Sequence, residues 1–246
     1  MSSVTPPKTV LITGGARGIG RVTAMRLLMD GYNVAFTYTR SKAAAEEFVS
    51  TDRHRLHAYS GDVRDDVRNR EIVENVVARF GGIDALINNA GIRRDALMYN
   101  MSEEQWNDVV ETNLGGAYSM IHAVLPIMMK QHRGAIVNVA SVSALRGVVG
   151  QANYSAAKAG LIAMTRSIAR EIARSGVRIN CVAPGVVETD MIASLDEDVK
   201  RALIHEVPMR RAITADEVAA GIAFLISDEA SGITGQVLAI DGGVSA

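Results

Sequence analysis

Short apolar runs rich in β-branched residues alternate along this chain with longer stretches whose apolar positions recur every three or four residues. Residues 8–13, KTVLIT, form the first run, end in glycines and lead into an amphipathic stretch over 18–30, which predicts strand, turn and helix in that order. The alternation repeats: 32–38 precedes a helical 42–50, 56–59 precedes 66–80, and 85–88 precedes a helical region reaching residue 130. It continues with 135–140, a long helix over about 153–174 and a run at 178–182, and the last strand falls at 237–240. Strands alternating with helices predict an α/β chain built on a doubly wound, seven-stranded parallel sheet with helices on both faces.

The pattern is least regular between 184 and 211, where Pro184, Gly185 and Pro208 bracket a charged, helix-like segment at 196–206. A stretch of that kind is either a mobile lid or a plain connecting excursion, and the lid is the expectation taken here. No linker, low-complexity segment or repeat of 20 to 50 residues divides the chain, so residues 1–246 read as one domain. With 246 residues, 48% of them hydrophobic, there is enough apolar surface for one large core.

Charge narrows the partners. Lys and Arg total 26 against 27 Asp and Glu, so no general field draws in nucleic acid or an anionic membrane, and any anion site must be local. Cys181 is the only cysteine, which leaves no intrachain disulfide or cysteine metal site and fits a reducing compartment. His54, His57, His122, His132 and His205 have no metal-ligand spacing, so no metal is expected. The first residues lack the basic and apolar regions of an export signal, and no apolar run approaches about 18 residues, so a cytoplasmic protein that does not enter membranes is expected.

Thr13-Gly14-Gly15-Ala16-Arg17-Gly18-Ile19-Gly20 joins the first strand to the first helix. Glycines there let backbone N–H groups approach a pyrophosphate, whose charge the helix N-terminus stabilises. The G-x-x-x-G-x-G spacing of Gly14, Gly18 and Gly20 differs from the usual G-x-G-x-x-G dinucleotide fingerprint, and its position after a strand is what strengthens it. At the end of the second strand, where an acid would accept bonds from a ribose 2′-hydroxyl, the chain reads Thr37-Tyr38-Thr39-Arg40-Ser41. Arg40, helped by Arg17, suits a 2′-phosphate, so NADP(H) is favoured over NAD(H). Asp62, beside Val63 past the third strand, could accept from an adenine amino group or equally cap the next helix. Asn88-Asn89-Ala90-Gly91 ends the fourth strand with residues small enough for backbone to approach a cofactor, although a strand-end turn needs no ligand.

Tyr154 and Lys158 share one face of a predicted helix, and an ammonium beside a phenol favours the phenolate, which makes Tyr154 a usable general acid. Ser141 follows the strand Ile136-Val137-Asn138-Val139-Ala140 at the carboxyl edge and can orient a carbonyl. Asn113 falls inside the helical region before residue 130 and could hold a water leading to Lys158. Each of these residues has an ordinary packing or solvation reading when taken alone. Their combination with the glycine turn is what points to chemistry.

Together, T-G-x-x-x-G-x-G at Thr13 to Gly20, N-N-A-G at Asn88 to Gly91, Asn113, Ser141, Tyr154-x-x-x-Lys158 and Pro184-Gly185 resemble the short-chain dehydrogenase/reductase family over essentially the whole chain. The resemblance implies a single-domain Rossmann fold and four roles. Ser141 would bind the carbonyl, Tyr154 exchange the proton, Lys158 contact the nicotinamide ribose and Asn113 support a water relay. Gly150 to Gly160, Val182 to Met191 and the Asp241-Gly242-Gly243 ending resemble the 3-oxoacyl-[acyl-carrier-protein] reductases of that family. This implies NADPH as cofactor, an acyl carrier protein as the source of substrate, Val187 and Thr189 flanking the nicotinamide, and a homotetramer paired through the fourth and fifth helices and the last strand. A polyketide intermediate, an acyl-CoA, another small ketone, or a catalytically silent NADP(H)-binding role are the alternatives. In one respect the chain departs from those enzymes, reading Gln131-His132-Arg133-Gly134 where they commonly carry arginine before His-Gly, and Arg174-Ser175-Gly176 where they carry Ser-Arg-Gly, so basic charge is kept nearby but shifted. Lys130, Arg133 and Arg174 are the residues expected to meet the carrier's acidic surface.

Overall fold

The computed structural model describes residues 7–188 and 196–246. Seven strands form one parallel sheet in the order β3-β2-β1-β4-β5-β6-β7: β1 Thr9–Ile12, β2 Asn33–Tyr38, β3 Leu56–Ser60, β4 Ala85–Asn88, β5 Gly134–Val139, β6 Val177–Pro184 and β7 Val237–Ile240. Pairing is parallel throughout, with Val10 opposite both Val34 and Ala85 and Asn88 opposite Asn138. The order reverses between β1 and β4, which opens a crevice at the carboxyl ends of those strands. This is the expected Rossmann architecture, with each strand within a few residues of its predicted place.

Alternation along each strand divides the core. Val10, Ile12 and Phe36 face one layer, built by α1 (Gly18–Met29), α2 (Lys42–Val49) and a later helix, Ala215–Ile226, through Leu27, Phe48, Val218 and Ile222. Leu11, Ala35, Leu86 and Ile136 face the other layer, built by α3 (Asp66–Phe80), α5 (Gly116–Gln131) and α7 (Ala152–Ile172) through Ile72, Val76, Met120, Val124 and Ile172. Between β4 and α5 lies α4 (Glu103–Val110), opened by a capping box of Ser102 and Gln105, and α6 (Ser143–Arg146) follows β5.

Three features differ from the sequence expectation. Helix α4 runs into a single π turn over Glu111–Gly115 before α5, so the long helical region is broken at Asn113. Ala215–Ile226, α9 in chain order, has no counterpart in the sequence reading, although Val218, Ala219, Ile222, Leu225 and Ile226 recur at helical spacing and Thr214 and Glu217 form a capping box at its start. Asp65, not Asp62, caps α3, accepting from the Arg68 amide. Of the expected lid, α8 (Glu197–Glu206) is described, and its flanks are pinned by a bridge between Val187 and Ile213. The part at 189–195, including Thr189, lies outside the described residues. Among the described residues no helix is long and apolar enough to cross a membrane.

Candidate active site

The glycine turn and the N-N-A-G turn are one unit. Thr13 Oγ1 accepts from the amides of Asn89 (3.0 Å) and Ala90 (2.9 Å), and Asn89 Nδ2 donates to the carbonyls of Thr13 and Gly14, both at 3.0 Å. The Asn89 side chain therefore holds the turn in shape, and its contribution to a cofactor site is indirect. Gly18 adopts φ 53°, and a Cβ there would meet nothing within 4 Å, so the turn is open at the mouth of α1. Gly20 has no such room, since its Cβ would lie 2.4 Å from the Gly14 carbonyl. Ile19 packs against the α1 layer of the core.

A dinucleotide fits this cradle. Arg17, at the N-cap of α1, gives no side-chain cap, and the first turn carries no acid, so the first amides of a twelve-residue helix have no side-chain acceptor. Arg17 and Arg40 are both exposed beside it and make no ion pair among the described residues. Arg40 lies near enough to Asp62 to help hold that carboxyl below its usual range, behind the stronger effect of the Arg64 guanidinium, which binds it at 2.8 Å. Arg64 also reaches Asp108 on α4 at 3.2 Å, fixing the carboxylate where the sequence offered it to an adenine. Val63 is buried, with its side chain against the place a Gly116 Cβ would occupy.

At the other end of the crevice the four expected residues converge. Lys158, 3% exposed, donates from Nζ to the Val139 carbonyl at 2.7 Å, which ties α7 to the end of β5. The same Nζ lies 5.5 Å from the centroid of the Tyr154 ring. Burial pulls the Lys158 ammonium down to about 8. Tyr154 differs from expectation: burial pushes the phenol above its ordinary value, opposed by the Arg93 guanidinium and the Ser141 hydroxyl. The ammonium faces the ring and spends a donor on Val139.

Asn113 occupies the π turn, a distortion that redirects a side chain from the helix surface into the site. Its Nδ2 donates to the carbonyls of Ile92 (2.9 Å) and Val109 (2.8 Å), while Oδ1 is buried with no partner. Gly91 lies between that oxygen and Lys158: a Cβ on it would be 2.4 Å from Asn113 Oδ1 and 3.5 Å from Lys158 Nζ. An orphaned acceptor beside a buried cation is the setting for a bridging water. Pro184 and Gly185 close the site from β6, with the Pro184 carbonyl accepting from the Val142 amide at 2.9 Å, and Val187 is buried beyond them.

Sequence reasoning passed over the residues that hold this arrangement. Asn153 Oδ1 accepts from the Tyr154 amide at 2.7 Å, while its Nδ2 donates to the carbonyls of Arg94 (3.1 Å) and Gln105 (3.0 Å). Gln151 Nε2 donates to Asp95 at 3.0 Å. The signal available was the polar pair Gln151 and Asn153 just before the tyrosine, and Arg-Arg-Asp just after N-N-A-G.

The carrier-docking expectation meets a geometric obstacle. Arg133 precedes β5, whereas Ser141 follows it, and six strand residues span roughly 20 Å. Arg133 and Arg174 therefore lie at the edge of the sheet opposite the catalytic one, and Arg133 is paired with Asp84 at 2.8 Å. Within one chain, a carrier docked there does not face Tyr154.

A doubly wound parallel sheet with an anion-ready glycine turn at its switch point and a serine, tyrosine and lysine gathered beside it defines a Rossmann-type oxidoreductase. Residues 14–245 match the family described as enoyl-(acyl carrier protein) reductase, and the chain belongs to the short-chain dehydrogenases/reductases. It is 41% identical over 240 residues to the 3-oxoacyl-[acyl-carrier-protein] reductase FabG of Staphylococcus epidermidis, covering 96% of this chain and 98% of that one. The same-named proteins of Staphylococcus aureus and Salmonella typhimurium are each 42% identical, over 96% of this chain and 98% and 97% of theirs.

Proposed function

We propose that this protein reduces a 3-oxoacyl thioester, carried on acyl carrier protein, to the 3-hydroxyacyl thioester with NADPH, in cytoplasmic acyl-chain synthesis. The observation that carries the reading is the convergence of Ser141, Tyr154, Lys158 and Asn113 at one end of the crevice, with the open turn of α1 and the exposed Arg17 and Arg40 at the other. The first turn of α1, with Arg17 and Arg40 beside it, would hold a nicotinamide cofactor along that crevice, which when bound would supply the hydride for C3 of the substrate. Tyr154 gives its proton to the carbonyl oxygen as that bond forms, and Ser141 donates a hydrogen bond to the same oxygen. Lys158, kept charged at neutral pH by a pKa of about 8, is placed to return a proton to Tyr154 through a water shared with Asn113 Oδ1.

The walls beside Tyr154 suit an acyl chain. Leu97 and Met98 from the loop after β4, and Val148 and Val149 from the loop after β5, expose apolar side chains, and the two loops are joined by the Ala96 amide donating to the Gly150 carbonyl at 2.9 Å. Helix α8 is the described part of the lid, tied to α6 by Arg146 and Glu206 at 2.7 Å. Such an exposed pair contributes about 0 to 1 kcal/mol, little enough for a lid that must open.

Side-by-side turnover of 3-oxoacyl, acyl-CoA, enoyl and simple ketone substrates, each with NADPH and NADH, tests the reading. The 3-oxoacyl carrier thioester with NADPH is expected to have the highest kcat/KM. The family description makes the enoyl thioester the informative rival: there the hydride adds to C3 of a double bond and the proton ends on C2, whereas a ketone needs its proton on the oxygen that Tyr154 and Ser141 would address. Faster enoyl than ketone reduction, or no turnover of any of these, overturns the proposal.

A further inference from the structure

The ring of Tyr154 has a second cation beside it. Arg93 Cζ lies 6.0 Å from the ring centroid, close to the 5.5 Å of Lys158 Nζ. The guanidinium is bound by Asp95, through Nε to Oδ1 at 3.3 Å and through NH2 to Oδ2. Asp95 Oδ2 also accepts from Gln151 Nε2 at 3.0 Å, and Gln151 is buried at the start of the helix that carries Tyr154. With Asn153 holding the Arg94 carbonyl and the Tyr154 amide together, the loop bearing the ion pair is fastened to the tyrosine's own helix turn.

We propose that the Arg93–Asp95 ion pair sets the proton affinity of Tyr154, with Arg93 drawing the phenol towards phenolate, Asp95 opposing it, and Gln151 fixing the balance between them. The inference rests on the reading of Tyr154 as proton donor and makes Arg93 and Asp95 positioning residues for it. With the guanidinium over a partly buried ring and the carboxylate held behind it by Arg93 and Gln151, the two charges are not fully screened there. Among the described residues the charged groups facing Tyr154 are Arg93 and Asp95 from the loop after β4 and Lys158 from α7, with the Ser141 hydroxyl from the loop after β5. Further out, Asp108 on α4 is paired with Arg64 and Arg94, and Glu206 on α8 with Arg146. The direction of each effect agrees: Arg93 is the strongest influence lowering the phenol against burial, ahead of Ser141, and Asp95 raises it.

Neutral substitutions should act in opposite directions. Ketone reduction needs the protonated phenol, so its rate falls at high pH along a basic limb. Arg93→Gln should move that limb up, and Asp95→Asn should move it down, each by about half a pH unit, the lower end for a partly compensated charge at this distance. Arg93→Lys, which keeps the charge, should stay near the parent. Ultraviolet difference titration of tyrosinate in the cofactor-free proteins, with the Tyr154→Phe trace subtracted, should show the same shifts without any turnover. Limbs that stay in place, or that move in the same direction for both variants, overturn the inference. If Tyr154→Phe itself reduces ketones at the parent rate, the underlying proton-donor reading is what fails. A Tyr154→Phe protein that is inactive beside unshifted Arg93→Gln and Asp95→Asn limbs sinks this inference alone.

Discussion

Lys158 is a buried cation whose pKa stands near 8 in the folded chain and returns to the ordinary 10.5 when the chain unfolds. Between those values the unfolded state binds more protons, so stability rises with pH across the window from about 8 to 10.5, and below it the buried charge is a standing cost. At about 1.4 kcal/mol per pH unit that cost is on the order of 3 to 4 kcal/mol. Replacing Lys158 with Met removes the charge and also the bond to Val139, so a net gain on the order of 1 kcal/mol is expected at pH 7. The gain should shrink towards pH 10 and be accompanied by lost turnover; thermal unfolding of the cofactor-free protein at both pH values checks this, and equal destabilisation at both contradicts it. Tyr154→Phe keeps the ring and should leave NADPH affinity nearly unchanged while lowering kcat by roughly 10²-fold or more, the usual scale for a general acid. At the adenosine end, Arg40→Ala should weaken NADPH by roughly ten- to a hundredfold and spare NADH, since a charged hydrogen bond is worth about 1.5 to 3 kcal/mol. Equal affinity of the parent for both cofactors in a binding titration would remove the basis for that assignment.

Elements matter here through their ends. The N-terminus of α1 is left without a side-chain cap where a phosphate is wanted, whereas α4 and α9 are closed by full capping boxes. In α9, the Arg211 guanidinium and the Thr214 amide hold the Glu217 carboxyl down to about 2, so this cap persists in acid until the pH falls through that value. Thr214→Ala should cost about 1 kcal/mol, read as a lower denaturant midpoint with an unchanged slope. The π turn is the element that brings Asn113 to Lys158, and Gly91 is the residue that lets them approach. Gly91→Ala puts a methyl 2.4 Å from Asn113 Oδ1 and should cut turnover by roughly 10-fold or more through displacement of the relay, with the circular dichroism spectrum unchanged.

For the whole molecule, β7 is an edge strand with Leu238 exposed, and Tyr118 and Met129 on α5 and Phe224 on α9 are exposed as well. Unpaired strand edges and exposed apolar side chains are surfaces that assembly can cover. They support the proposal of a homotetramer joined through helix faces and the last strand. Leu238→Arg is expected to lower the mass seen in sedimentation or light scattering, and a parent that is monomeric at micromolar concentration contradicts the assembly.

The sequence alone determined the alternation of strands and helices and the glycine turn, and marked Ser141, Tyr154 and Lys158 as candidates, because periodicity and spacing are local properties that survive without a fold. It could not show that Asn113 sits in a π turn or that Asp65 rather than Asp62 caps α3, whereas α9, with its Thr214–Glu217 box and helical apolar spacing, was legible and was passed over. Nor could it say which charge faces which. Arg133 and Ser141 are eight residues apart yet lie at opposite edges of the sheet, while Arg93, far from Tyr154 along the chain, has its guanidinium over the Tyr154 ring. Those relations depend on the parallel stacking of strands, which turns the two ends of every β-strand into opposite surfaces and brings loops distant in sequence to a common edge. Electrostatics follows distance and burial, and both are fixed only when the sheet closes around the site.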